Sequence, residues 1–289
     1  MPEPQATIRR GFVDVAEGQV HYRTAGSSAA AGPPLVLLHA SPGSAKTLEP
    51  LLAAFADTRR VIAPDTLGNG DSSAPASRDA ELSYFAAAHV RALDALGVHD
   101  FDLYGTHTGA NLAIEIALSH PERVRSLILD GISLYSEEER TDMLTHYLPD
   151  VQIDATGSQL HLIWHFVRDA YLFWPWYRRD KEHRRAIGLP SATDLHDKTL
   201  EVLKAASTFH ISYRAALAYR KEDRLPALRV PTLLACSATD MLIEYLEKVG
   251  GLLPQARQVT TPGVGSPEAA RRTAEIFEAF MRSPAPAKV

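Results

Sequence analysis

An α/β fold is the architecture this sequence predicts: a doubly wound, mostly parallel eight-stranded sheet interrupted by a helical insertion. Three observations predict it. Short apolar runs alternate with helical apolar stripes through most of the chain. The stretch from Phe101 to Leu118 reads as a buried strand, a glycine-bounded turn and a buried helix. The alternation stops after Ser133 and resumes near Val230, so the residues between form a separate helical unit. With 289 residues the chain accommodates one large domain with an insertion. The expected organisation is a core of residues 1–135 and 225–282, a helical unit at 136–224 and a disordered tail at 283–289.

The elements follow in order. Phe12 to Val15 and Val20 to Ala25, separated by Glu17 and Gly18, read as an antiparallel hairpin. Pro34 to Leu38 is continuously apolar, as a strand buried on both faces would be. A loop from His39 to Ser44 leads to a helix near Thr47 to Phe55, then a strand from Arg60 to Pro64. A helix near Glu81 to Leu96 precedes the strand at Phe101, and the helix after the turn carries Leu112, Ala113, Ile116 and Ala117 on one stripe. Val124 to Leu129, Val230 to Ala235 and Gln258 to Thr261 complete the strands. Pro267 to Met281 reads as an amphipathic helix with Ala270, Thr273, Ile276, Phe277 and Phe280 on one side.

Composition narrows the function classes. A formal charge of -5 gives no electrostatic case for nucleic acid or an anionic membrane surface. The single cysteine, Cys236, closes an apolar run and reads as a buried inert thiol. The start has no apolar signal core and no segment approaches ~20 apolar residues, so a cytoplasmic protein is expected.

The turn is Gly105-Thr106-His107-Thr108-Gly109. Its strand–turn–helix setting and glycine spacing match G-x-S-x-G, with histidine at the serine position. On these residues, and on the Gly68 to Ser72 turn after the fourth strand, the chain resembles the α/β-hydrolase family. The resemblance implies that the helical unit is a cap, that no cofactor is needed, and that a homodimer is plausible by family habit. It also implies an oxyanion hole from the backbone N–H groups of Ser41, in the His39-Ala40-Ser41-Pro42 loop, and of Thr108. Ala40 departs from the family's glycine, and His39 reads as a brace for its loop.

The family's acid follows the strand before the last one, where Asp240 stands; some members use the end of the strand after the elbow, where Asp130 stands. Adjacent strands lie ~4.8 Å apart, so Asp130 is within reach of an imidazole at position 107. The family's histidine loop reads Pro262-Gly263-Val264-Gly265-Ser266, with serine where histidine is usual. The two identities look exchanged. His107 then acts as general base on water, attacks the substrate itself, or serves Ser266 as nucleophile. These rank in that order, since Ser266 would attack away from a hole built around the elbow. Alkyl-enzyme ester chemistry, which needs an elbow aspartate, is set aside.

In the cap, Trp164, Tyr171, Phe173, Trp174, Trp176, Tyr177, Phe209 and Tyr213 supply rings, some for the cap's own core. Trp164, Tyr171 and Trp174, with His210, are the candidates for the substrate pocket. His161 and His165 share a helix face, but no third ligand accompanies them and no metal is expected. The mixed-charge run from Arg178 to Arg185 reads as a solvated helix face. The reading is a cofactor-free hydrolase of a small, fairly apolar or aromatic carbonyl compound, an ester or lactone. The alternatives are a lyase or isomerase using His107 as acid and base, and a ligand-binding relative without catalysis.

Overall fold

The computed structural model describes residues 7–27, 32–149 and 151–284; the tail expected to be disordered lies, from residue 285 on, outside them. The chain opens with a hairpin, β1 (Arg9–Val15) and β2 (Gly18–Ala25), followed by β3 (Leu35–Leu38), α1 (Glu49–Phe55), β4 (Val61–Pro64), α2 (Leu82–Ala95), β5 (Phe101–Thr106), α3 (Thr108–Ser119) and β6 (Val124–Asp130). Four longer helices then intervene: α4 (Glu137–His146), α5 (Ser158–Leu172), α6 (Ala192–Lys204) and α7 (Phe209–Ala218), with the short α8 (Lys221–Arg224) leading back. The core closes with β7 (Thr232–Ser237), α9 (Leu246–Leu252), β8 (Arg257–Thr261) and α10 (Pro267–Arg282).

The eight strands form one sheet in the order β1-β2-β4-β3-β5-β6-β7-β8. The pairs β1–β2 and β2–β4 are antiparallel, and every pair from β4 through β8 is parallel. This is the doubly wound sheet that the alternation predicts. All residues of β3 and β4 are buried, as strands covered on both faces must be. One face packs Phe85, Leu93, Leu112 and Ile116 of α2 and α3; the other packs Leu52, Phe55, Phe277 and Phe280 of α1 and α10. The predicted stripe of α10 is buried, except that Ile276 lies at its margin. The helix α9 lacks a helical signal in the sequence, because Gly250 and Gly251 lower its propensity.

The four helices between β6 and β7 build a core of their own from Met143, Ile163, Phe166, Trp176, Val202 and Phe209. A capping box at Ser136 and Glu139 starts α4. Arg140 fastens the unit: its buried guanidinium donates to the carbonyls of Leu217 and Tyr219 and to Glu222.

At the opposite end of the sheet from those helices' entry, buried Arg59 reaches Asp102 of β5 at 2.7 Å and Glu278 of α10 at 2.8 Å. Replacing it strands a carboxylate that water barely reaches. Arg59→Leu is therefore expected to cost about 3–5 kcal/mol of stability in urea unfolding. A loss under about 1 kcal/mol would mean that Asp102 finds other partners.

Candidate active site

The parallel strands β3, β5, β6 and β7 point their C-terminal ends at one rim, where open α/β sheets hold their sites. Four loops meet there, carrying Ala40 to Gly43, His107, Gly131 and Asp240. The elbow is strained: His107 has φ 52° and ψ −112°, and it is the one residue other than glycine with positive φ among the described residues. Both flanking glycines are required by close approach. A Cβ on Gly105 would stand 2.2 Å from the carbonyl oxygen of Gly109, and one on Gly109 would stand 2.2 Å from that of Leu38. These contacts press α3 onto β5 and β3 and push His107 out over the rim.

The imidazole leans across β6. Its Nε2 lies 2.8 Å from Oδ2 of Asp240, while the other oxygen of that carboxylate accepts from the N–H of Leu242 at 2.8 Å. Both side chains retain solvent access, at 25% for His107 and 20% for Asp240. Burial by itself would lower the His107 pKa. The charge of Asp240 and its hydrogen bond, with a smaller contribution from Asp130, overcome this and raise it, and Lys198 works against them. Burial would likewise raise the Asp240 pKa, but the charge and hydrogen bond of His107 hold it below the ordinary value.

Asp130 also stands close, with a different partner. Its carbonyl accepts from the N–H of His107 at 2.9 Å, and its carboxylate accepts from the Tyr104 hydroxyl at 2.8 Å. Burial pushes its pKa up to about 6. Of the two aspartates that the sequence offers, Asp240 is hydrogen-bonded to the His107 ring, and the Asp130 carboxylate is instead taken up by the Tyr104 hydroxyl. Tyr104 sits inside an apolar strand run and carries no sequence signal of this contact.

Gly131 makes room for the ring. Its φ is +66°, and a Cβ there would stand 2.6 Å from Cδ2 and 2.8 Å from Nε2 of His107. The Cδ2–Nε2 edge therefore faces Gly131, and Nδ1 lies on the edge turned away. Gly131→Ala would have to displace the imidazole and occupy left-handed backbone. It is expected to cost about 1–2 kcal/mol of stability and to lower kcat roughly 10–100-fold, because catalysis tolerates little misplacement. Denaturation and steady-state kinetics on the same preparation check both; unchanged kcat would mean that the ring position does not matter.

Ser41 and Thr108, the two oxyanion-hole candidates, are adjacent, but Ser41 is already engaged: its N–H donates to the Thr108 hydroxyl at 2.6 Å. Thr108 is the first residue of α3, so its own N–H belongs to the unpaired first turn of that helix. His39 is fully buried, with Nε2 accepting from the N–H of Thr66 at 2.9 Å, which makes it a loop brace. Ser266 is the N-cap of α10: it is exposed, its hydroxyl accepts from the N–H of Ala269, and no hydrogen bond joins it to His107 among the described residues.

The candidate pocket residues of the helical insertion are dispersed. Trp164 lies on the outer side of α5 at 37% exposure. Trp174 packs edge-on against Tyr147, at the seam between the insertion's core and the main core. Tyr171 borders the insertion's core, and His210 is half-buried beside Phe209. The insertion instead brings two cations toward the rim. Lys198 of α6 and Arg185 are half-buried, and their charges act on His107 and Asp240 respectively. The Lys198 signal is present in the sequence: Leu195, Lys198, Thr199 and Val202 fall at i, i+3, i+4 and i+7, a buried stripe with a lysine in it.

A groove of about 530 Å³ lies elsewhere, lined by Arg78, Glu81, Glu115, Arg214, Tyr219 and Arg224 among others. It contains none of the rim residues, and the chemistry is assigned to the rim because the strained elbow and the coupled ionisable pair are there. For a metal, His21, Asp65 and Asp71 have ligand atoms within 4.8 Å of one another. Asp65, however, already accepts from His21 and from the N–H groups of Ala45 and Asp71, so the group reads as a brace. His161 and His165 are both exposed on α5. Among the described residues no helix is long and apolar enough to cross a membrane.

A family model described as the alpha/beta hydrolase fold matches residues 33–266. A 2-hydroxymuconate semialdehyde hydrolase of Pseudomonas putida is 39% identical over 134 residues, 45% of this chain and 46% of that protein. The chain thus aligns with just under half the length of that relative. A proline iminopeptidase of Lactobacillus helveticus is 30% identical over 253 residues, covering 80% of this chain and 81% of the relative. Among solved structures, the enol-lactonase from Burkholderia xenovorans LB400 superposes with a TM-score of 0.73 at 18% identity, over 94% of this chain and 100% of that one. That likeness concerns the fold.

Proposed function

Since the chain belongs to the α/β-hydrolase family of enzymes, we propose that it hydrolyses a small ester or lactone with His107 as general base. The observation that carries this reading is the elbow imidazole held at 2.8 Å by Asp240. If Nε2 carries the proton and donates it to Asp240, Nδ1 keeps the lone pair on the edge turned away from Gly131. Water bound at Nδ1 attacks the substrate carbonyl as its proton passes to the imidazole. The Thr108 N–H stabilises the oxyanion that forms. The Thr108 hydroxyl, polarised by the bond it accepts from Ser41, is its second donor. Collapse of the intermediate expels the alkoxide, which takes the proton back from the imidazolium.

The name of one relative, a 2-hydroxymuconate semialdehyde hydrolase, supports carbonyl chemistry on a small molecule. The raised His107 pKa favours a second use of the same group, because it extends the imidazolium form, which can protonate substrate in a lyase or isomerase reaction, to higher pH. Turnover of a panel of activated esters and lactones by wild type and His107→Ala separates the two. Saturable release of acid that depends on His107 is the expected result; absence of any such release removes the hydrolase reading.

A further inference from the structure

We propose that the substrate carries a carboxylate, and that Lys198 of the cap binds it beside the Ala40 to Gly43 loop. This rests on the rim around His107 being the reaction site. The stripe of α6 turns Lys198 inward with Leu195 and Val202, both buried. Its Nζ lies 2.9 Å from where a Cβ on Gly43 would stand, so the ammonium rests against the loop that carries Ser41. A side chain at 43 would push against both the ammonium and the Ala40 carbonyl oxygen, which stands 2.8 Å from the same point.

The ammonium has no carboxylate partner within ion-pair distance among the described residues. Glu201, one turn along the same helix, attracts it through space, but the Glu201 oxygens are engaged by the Ser44 hydroxyl and by Lys204, the latter at 3.1 Å. A partly desolvated cation without a counter-ion is costly, and a bound anion relieves that cost. Its contact with Gly43 sets it at the loop after β3, and its charge acts on both His39 and His107 from there.

Strand order explains why an anion is tolerated at a rim that also holds two aspartates. In the sheet, β3 lies on one side of β5, and β6 and β7 on the other. The loop after β3, with Lys198 above it, is therefore on one side of His107, and Asp130 and Asp240 are on the opposite side. A substrate with its carbonyl at the elbow and a carboxylate a few bonds away would keep that charge toward Lys198 and away from both aspartates. Arg185 adds a second positive charge, which acts on Asp240.

The test uses binding rather than turnover. Glutaramate, with one carboxylate and one neutral amide carbonyl, and its neutral isostere glutaramide are titrated calorimetrically into wild type, His107→Ala, Lys198→Met and Lys198→Arg. Glutaramate is expected to bind wild type and His107→Ala roughly 10–100-fold more tightly than glutaramide, the value of hydrogen bonds to a charged group. Lys198→Met should abolish the preference and Lys198→Arg should keep part of it. Equal affinities in wild type, no glutaramate binding at millimolar concentration, or a preference that survives Lys198→Met would overturn the proposal. Retained preference with no ester turnover by wild type sinks the hydrolase reading and leaves the carboxylate site standing.

Discussion

His107→Ala is expected to lower kcat/KM for a responsive ester by roughly 10²–10⁴-fold, the contribution of a well-placed acid–base group. The fold should survive the change. The left-handed backbone at this position is already occupied by a residue with a Cβ, so alanine adds no new strain there. Asp240 keeps its bond from the N–H of Leu242, so its carboxylate is not left without a partner. A fall of less than about 10-fold would move the chemistry to another group. The pH profile gives an independent check on the wild type. A general base works as neutral imidazole, and the surroundings raise the His107 pKa above 6.5. Activity should therefore be low in acid and rise as pH passes through an ionisation above 6.5, reaching a plateau beyond it. A rate that falls across that window would mean that the imidazolium is the working form, as in the proton-transfer alternative.

The fold was legible because its signals are local. Apolar runs of four to six residues, the hairpin at Glu17 and Gly18, and the spacing of Gly105 and Gly109 each depend on neighbours in sequence. The elbow position was legible for the same reason, since the two glycines are there to let α3 pack against β5 and β3. Which aspartate meets His107 was not. Asp130 and Asp240 both follow strand ends, and the outcome depends on Tyr104 taking the first and on a turn after β7 swinging the second back over Gly131. The bond from Ser41 to the Thr108 hydroxyl joins loops 67 positions apart and has no sequence signature. Lys198 is hard to read for a different reason: a lysine on a helix is ordinarily a solvated one, and only its place in the Leu195 to Val202 stripe marks it as turned inward.

Asp240→Asn tests the arrangement that the mechanism depends on, and its effect should appear in two separate quantities. The first is the plateau rate. An asparagine at 240 presents the ring with either an amide oxygen or an amide N–H, and the second choice pairs with an unprotonated Nε2 and moves the proton to Nδ1. That tautomer has no lone pair where water must be activated, and the positive charge that develops on the ring during attack loses its counter-charge. The plateau kcat should fall roughly 10²–10⁴-fold. The second quantity is the position of the acid limb. Burial, which lowers the His107 pKa, remains, while the charge and hydrogen bond that raise it are gone. The limb should therefore move to lower pH even as the plateau drops. Asp130→Asn removes only the weaker of the two carboxylate influences and leaves the ring's hydrogen bond in place, so it should shift the limb in the same direction by less and cost less rate. Equal losses from the two substitutions would contradict a mechanism in which Asp240 orients the base. An Asp240→Asn enzyme with its plateau intact would show that the short contact with His107 plays no part in turnover.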